Sequence, residues 1–531
     1  MRRRRAPSLA PLLAALSAVA CARARPPTTA ATPADPLAPA RVTRLRDFIH
    51  ATWPALTRTP ADLPTAARDD KIPHVAGAPW PVYLPSDDDP AAIAAGLTRV
   101  LPPGGFAKVL LRPLPPAGRP IAEPGLLYLP RPYVVPGGRF NEMYGWDSAF
   151  IVIGLLRDGE TALARDVVDN QLYEVRHYGG VLNANRTYYL TRSQPPLLSE
   201  MVLAVYRAAG DRNWLAGARE ALEATHAHWT SPPHLVPDFG LSRYFDHGQG
   251  PAQEVETSER DAAGQTHYDR VRAFFRAHPD PAYARFYDRA VGRLTPAFFE
   301  GDRAMRESGF DPTGRFGPFG AEAARTLPVC LNTLLYRFEL DLAEIDRLLG
   351  RTAEAARFVA LAGERQRRVE GLLWDEERGL YFDYDLDARR LRPYPFATTF
   401  WPLWAGLAST PHARRVIGNL ALFERPGGIR TSTVVTGAQW DAPFGWAPLQ
   451  LFAVEGLRRA GDVADADRIA REFLSMLIED FERRGTLVEK YDVERRTSDL
   501  GDALRFGYPS NEVGFGWTNG VALELLATLG R

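Results

Sequence analysis

The segment PGGRFNEMYGWDSAF, Pro136 to Phe150, joins a glycine-rich loop to the start of a helical pattern that dominates the chain from Trp146 onward. Within it Arg139, Trp146 and Asp147 combine a flat aromatic ring with charged, fork-like groups. A carbohydrate presents hydroxyls at its rim and C–H groups on its faces, so a site for one needs that combination. QWDAPFGWAP, Gln439 to Pro448, offers a similar combination of aromatic with charged or amide groups in Gln439, Trp440 and Asp441, and GFGWTNG, Gly514 to Gly520, is a third aromatic segment. A single tryptophan in a helix-rich protein is usually core. Several aromatic clusters rich in glycine and proline favour a binding site, because binding residues sit on loops held by a rigid scaffold.

Outward from this segment, Leu198, Met201, Val202, Val205 and Tyr206 share one helical face, and the run stops at Gly210. Asp211 opens a second helical stretch, Trp214 to Trp229. Similar helix–glycine–helix junctions occur at Gly159, Gly350 and Gly461. Glycine suits the left-handed position after a helix, and Asp or Thr suits the following N-cap. Short junctions of this kind join antiparallel helices. The glycine intervals of 51, 140 and 111 residues approximate one, three and two units of fifty. That loose period predicts several αα-hairpins and leaves solenoid and toroid equally open. Before Trp146 the chain is Pro-rich. Short apolar runs such as Pro81 to Leu84 and Val109 to Leu111 predict an irregular N-terminal extension of extended segments and loops.

The chain has 531 residues with 64 basic and 64 acidic side chains, so it offers no net field for nucleic acid. Arg2 to Arg5 followed by the apolar run Leu9 to Val19 reads as a signal peptide over residues 1–20, too short to span a bilayer. Cys21 follows the small-residue cleavage pattern, so a lipid anchor there competes with simple cleavage. Residues 21–40 are rich in Pro, Ala and Thr and read as a linker. The remainder, 41–531, reads as one catalytic domain with no second linker. After removal of the leader the only cysteine besides Cys21 is Cys330, so no intramolecular disulfide is expected in the mature domain; Cys330 sits in an apolar run and reads as an inert core thiol.

Together these motifs closely resemble the trehalase family of glycoside hydrolases. PGGRFNEMYGWDSAF resembles that family's first motif and QWDAPFGWAP its second. NANRTYYLTRSQPP (Asn183 to Pro196), ESGFD (Glu307 to Asp311), VEKYD (Val488 to Asp492) and GFGWTNG follow in family order. The resemblance runs from about Trp53 to the C-terminus. It implies an all-α (α/α)6 toroid and hydrolysis of α,α-trehalose with inversion. By the same resemblance Asp311 is the general acid and Glu489 the general base. The substrate-binding residues it implies are Arg139, Phe140, Tyr144, Trp146, Asp147, Asn183, Arg192, Ser193, Gln194, Glu254, Gly309, Gln439 and Trp440. No metal or cofactor is implied, a monomer is expected, and the leader points to the periplasm.

An inverting glycosidase needs two carboxyls, one protonating the glycosidic oxygen and one activating water on the opposite face. The acid must keep its proton near neutral pH, which predicts burial or neighbouring carboxylates around Asp311. Departures from the family pattern fall elsewhere. Many trehalases carry P-R-P-E where this chain has Pro251-Ala252-Gln253-Glu254, keeping the glutamate and losing the arginine. The lid before Gly514 lacks its usual glutamate beside Tyr508; Glu512 is the candidate substitute and Asn511 the candidate for the lid's glutamine. These changes leave two alternatives open: an inverting glucosidase for another α-linked glucoside, and a sugar-binding protein without turnover. His226 and His228 lie two apart on a predicted helix and make a poor metal pair. Gly514 and Gly516 lack the context of a nucleotide-binding loop.

Overall fold

The computed structural model describes residues 35–531 apart from 117, 258–259, 261–262 and 509. The leader, Cys21 and most of the stretch 21–40 lie outside the described residues. In chain order the helices that build the framework are Pro39–Leu56 (α1), Asp147–Arg157 (α2), Thr161–Tyr178 (α3), Leu198–Ala209 (α4), Arg212–Trp229 (α5) and Val329–Leu349 (α6). They continue with Thr352–Leu372 (α7), Trp401–Ala405 (α8), Thr410–Gly418 (α9), Ala447–Arg459 (α10), Val463–Arg484 (α11) and Gly516–Thr528 (α12). The even-numbered helices touch in sequence, α2 to α4 to α6 to α8 to α10 to α12, and α12 returns to α2. This closed inner ring, backed by the odd-numbered helices, is an (α/α)6 toroid.

Burial explains which helices go inside. Every residue of α8 is buried, as is α10 from Ala447 to Val454, so these stretches have no face left for water. Outer helix α11 instead buries Ala466, Ile469, Ala470, Phe473, Leu474 and Leu477, a single stripe at helical spacing. The ring closes where backbone meets backbone. A Cβ on Gly154 of α2 would lie 2.5 Å from the Cα of Gly520 on α12. One on Gly520 would lie 2.0 Å from the carbonyl oxygen of Phe150. Only glycine permits that approach.

The helix junctions follow the glycine reading in part. Gly210, Gly350 and Gly461 all take positive φ. Asp211 and Asp462 accept hydrogen bonds from the backbone N–H of Trp214 and Asp465 as N-caps. Thr352 does not cap: it is the first residue of α7, and Arg351 occupies the N-cap without a side-chain bond.

The N-terminal region differs from the irregular extension expected of it. Ordered structure begins before residue 41: the compact unit starts at Pro36, and Leu37 is already in the core. Helix α1 buries Leu45, Ile49 and Trp53 and packs on α11 and α12. It is therefore the outer helix of the sixth hairpin, contributed from the opposite end of the chain. Its pattern was obscured because an interior proline, Pro54, and a modest apolar stripe weaken the helical signal. The apolar runs nearby are extended as expected: Trp80–Leu84 pairs in parallel with Val109–Pro113 and with Leu126–Leu127.

Because the inner helices all enter the ring from one end, the loops that precede them gather there. Asp147 opens α2, Gln194 lies just before α4, Gln439 and Trp440 precede α10, and Trp517 lies in the first turn of α12. Residues scattered over nearly four hundred positions are thereby pooled.

Candidate active site

The pooled loops line a cavity of about 1010 Å³, counting its open mouth. Its wall contains Asp311 and Glu489 together with Arg139, Phe140, Tyr144, Trp146, Asp147, Asn183, Arg192, Gln194, Glu254, Gly309, Gln439 and Trp440. Of the residues singled out from the sequence, Ser193 does not line it. The Ser193 hydroxyl donates to the carbonyl of Val181 at 2.5 Å, and its N–H donates to Glu307 at 3.2 Å. Adjacent residues in an extended segment face opposite ways, so Arg192 and Gln194 face the cavity while Ser193 turns into the scaffold.

Asp311 is reached by Arg306, whose Nη1 donates to Oδ2 at 3.2 Å. Burial pushes the Asp311 carboxyl up to about 7; Arg306 and Arg192 pull it down, while Glu254 and Asp302 push it further up. Its side chain is 31% exposed, and that exposure is to the cavity itself. The backbone at Gly309 takes φ +76°, and a Cβ there would stand 2.9 Å from the Trp146 indole. Glycine at that position lets the acid's loop lie flat against the indole.

Glu489 is buried and held on its other side. The phenol of Tyr508 donates to its Oε1, Lys490 Nζ lies 3.4 Å from Oε2, and the Trp517 indole N–H donates to its carbonyl at 3.1 Å. Burial raises the Glu489 carboxyl above its ordinary value, opposed by Lys490 and by the Tyr508 hydrogen bond. Asp147 shares the cavity. Burial lifts its carboxyl well above the carboxylate range, and the charges of Glu489 and Asp311 add to that. Asp147, Asp311 and Glu489 thus share one low-dielectric space with a fourth carboxyl, Glu254, on its wall, and the first three cannot all ionise together.

Two arginines grip the cavity walls. Arg192 donates to Glu254 at 2.6 Å and lies 3.4 Å from Asp246. Burial acts upward on Glu254, yet Arg192 and Arg306 outweigh it and hold this carboxyl below its ordinary value. Arg139 at the rim pairs with Glu512 at 3.0 Å and faces the rings of Phe140 and Tyr508. Glu512 thus touches a cavity arginine without lining the cavity. Asn511 does not reach it either: it clasps Lys490 through both backbone groups and also donates to the Ser498 carbonyl. Asp441 likewise turns away, accepting hydrogen bonds from Thr313, Gly314, Tyr394, Ser432 and Thr436.

Sequence reasoning missed Arg306, Tyr508, Lys71, Tyr189, His267 and Trp517, all of which line the cavity. Arg306 stands immediately before ESGFD, and Trp517 lies inside GFGWTNG. Those two had a signal in motif adjacency; Lys71 had none. The histidines also resolve differently. His226 bonds Glu339, whereas His228 comes near His234 and Glu307. Glu307 there already accepts from the backbone N–H groups of Ser193 and Phe245 and pairs with His234, so it clamps three segments behind the cavity. Cys330 is buried against Tyr244 and Arg315.

With this geometry established, comparison with known proteins is decisive on family. The trehalase family model matches residues 113–530. The chain belongs to the trehalase family. It is 36% identical over 427 residues to the cytosolic neutral trehalase of Saccharomyces cerevisiae, covering 73% of this chain and 55% of that protein. It is 40% identical over 409 residues to the periplasmic trehalase of Xanthomonas axonopodis pv. citri, covering 76% and 68%. The solved structure of the Saccharomyces cerevisiae neutral trehalase superposes with a TM-score of 0.76 at 32% identity, over 92% of this chain and 94% of that one. The chain therefore spans about half the length of the yeast relative it matches in sequence. Against the trehalase pattern Ala252 is fully buried, so the position carries no charge into the cavity. Among the described residues no helix is long and apolar enough to cross a membrane.

Proposed function

We propose that this protein hydrolyses α,α-trehalose to two glucose molecules by a single displacement with inversion. The observation that carries the reading is the pairing, in one cavity, of a carboxyl lifted to about 7 with a second carboxylate gripped by Tyr508 and Lys490. Protonated Asp311 gives its proton to the glycosidic oxygen as the C–O bond breaks, and that oxygen keeps the bonding pair. Glu489 removes a proton from the water that attacks the anomeric carbon from the other face. One glucose leaves with the retained oxygen, and the other carries the hydroxyl from water with inverted configuration. Asp311 is then a carboxylate and Glu489 an acid, and exchange with solvent restores both.

Arg139, Arg192, Asn183, Gln194 and Gln439 supply hydrogen-bonding groups for sugar hydroxyls, while Phe140, Tyr144, Trp146 and Trp440 supply apolar faces. Asp147 sits beside both carboxyls, placed for hydroxyls of the sugar being attacked, and Glu254 is set with Arg192 beside the acid. An exported, periplasmic enzyme is the location that the leader supports; the Xanthomonas relatives are periplasmic trehalases, whereas the yeast relative is a cytosolic one.

The test is glucose release from trehalose against maltose, kojibiose and glucosylglycerate, with NMR of the fresh digest. One α- and one β-glucose per trehalose is expected, with alkaline loss of kcat/KM through about pH 7 as Asp311 ionises. Release from one of the other sugars and none from trehalose refutes the substrate, and two α products refute single displacement. Cell fractionation with N-terminal mass analysis checks export and the state of Cys21.

A further inference from the structure

The proposed acid has a neighbour that an acid catalyst would ordinarily avoid. A guanidinium 3.2 Å from a carboxyl favours its ionised form, which cannot donate a proton. Arg306 is 8% exposed and points into the cavity beside Asp311, and it is already committed elsewhere. Its Nε and Nη2 hold both oxygens of Asp302 at 3.2 and 3.0 Å. Asp302 is itself fully buried; Arg306 and the Tyr268 phenol, which donates to it at 2.7 Å, hold it ionised. Arg306 and Asp302 thus form a neutral bidentate pair, with Nη1 left to meet Asp311.

Tyr268 also accepts the backbone N–H of Ala252 at 2.9 Å, tying this pair to the position where many trehalases place an arginine. The Ala252 methyl carries no charge, and a cation reaches the acid from the helix Pro296–Glu307 instead.

We propose that Arg306 is the positioning residue of the acid. Its Nη1–H occupies Oδ2 of Asp311, so the transferable proton resides on Oδ1, and it stabilises the carboxylate left once that proton has gone to the glycosidic oxygen. The inference rests on the assignment of Asp311 as the acid. Asp311 feels the charges of Arg306, Arg192, Asp302, Glu254 and Asp147 and faces the phenol of Tyr508, and His267 lines the same cavity. Asp302 cancels Arg306, Glu254 cancels Arg192, and Asp246 lies between Arg192 and Arg303, the closer of the two. His267 is held neutral near neutral pH, its pKa lowered to about 3 by burial and by Arg306. Burial therefore prevails and Asp311 stays protonated, while Arg306 remains within reach when the charge appears.

The experiment compares Arg306→Gln and Arg306→Lys with the parent on trehalose and on α-glucosyl fluoride, whose leaving group departs without a proton donor. A group that acts through the acid matters only where the acid matters. Arg306→Gln is expected to lower kcat/KM on trehalose about 100-fold, within the range of general-acid contributions. The loss on the fluoride is expected to be at least tenfold smaller, and Asp311→Asn should show the same split. Arg306→Lys is expected to recover part of the trehalose activity. The alkaline limb on trehalose is expected to move to higher pH in Arg306→Gln, since a cation beside the acid has gone. Equal losses on both substrates, or an unmoved alkaline limb, overturn the inference and leave Arg306 a structural pair. Turnover of the fluoride also reports that the variant is folded. A parent that does not cleave trehalose refutes the proposed function and this inference together; a parent that does, with equal losses in the variant, refutes only the inference.

Discussion

Replacing Asp311 with asparagine should stabilise the protein while removing its activity on trehalose. The rise from an ordinary 3.8 to about 7 means that the folded state disfavours the ionised carboxyl. At ~1.36 kcal/mol per pH unit this is about 4 kcal/mol when fully expressed. The side chain is 31% exposed to the cavity, and screening there reduces the figure to about 2 kcal/mol. The sign follows from linkage. A group whose folded pKa lies above its unfolded value costs nothing below pH 3.8, progressively more between 3.8 and 7, and a constant amount above 7. The neutral asparagine escapes that cost. With an unfolding entropy of roughly 1 kcal/mol/K for a chain of this size, the melting temperature should rise by about 2 °C at pH 8. The gain should shrink steadily towards pH 4. Parallel melting curves of parent and Asp311→Asn at pH 4, 5, 6, 7 and 8 measure it. A variant no more stable than the parent at pH 8, or a gain that does not depend on pH, refutes the claim that burial lifts this carboxyl.

Other consequences follow from single contacts. Tyr508→Phe deletes the hydrogen bond that favours ionised Glu489, a charge-assisted bond of about 1.5–3 kcal/mol; kcat/KM should fall most on the acid side, and a uniform loss at all pH would count against the contact. Gly309→Ala must adopt φ +76° and press on Trp146, so about 1–2 kcal/mol of stability should go, with a raised KM for trehalose. An unchanged melting temperature would show that the loop relaxes freely. Arg186→Met leaves Glu142 buried with Lys71 as its remaining cation and frees the carbonyls of Ala66, Ala67 and Arg68. Denaturant unfolding should show a loss of about 3–5 kcal/mol.

The family motifs are contiguous stretches, and that is why the sequence alone points to the trehalase family. PGGRFNEMYGWDSAF and QWDAPFGWAP pack many chemically demanding residues into short windows, and the toroid follows from the family they mark. Glycines such as Gly210 and Gly461 are legible because a left-handed turn imposes its requirement on one residue. Local pattern also separates α11, with its single apolar stripe, from the fully apolar α8.

Tertiary structure decided what depends on residues meeting across the ring. Nothing in the Pro-rich region before Trp146 signals that α1 completes a hairpin with a helix nearly five hundred residues away. Ser193 and Arg192 are neighbours in one motif, yet side-chain direction sends one into the scaffold and the other into the cavity. Glu512 and Asn511, candidates for the missing lid groups by position, instead brace Arg139 and Lys490. Arg306 was legible only as a letter before ESGFD. Its charge matters because folding places it against Asp302 and Asp311 in a space with little water, where hydrogen-bond geometry and burial determine which carboxyl keeps a proton. Residue types and their order name the family, whereas which proton sits on which oxygen is a property of the packed structure.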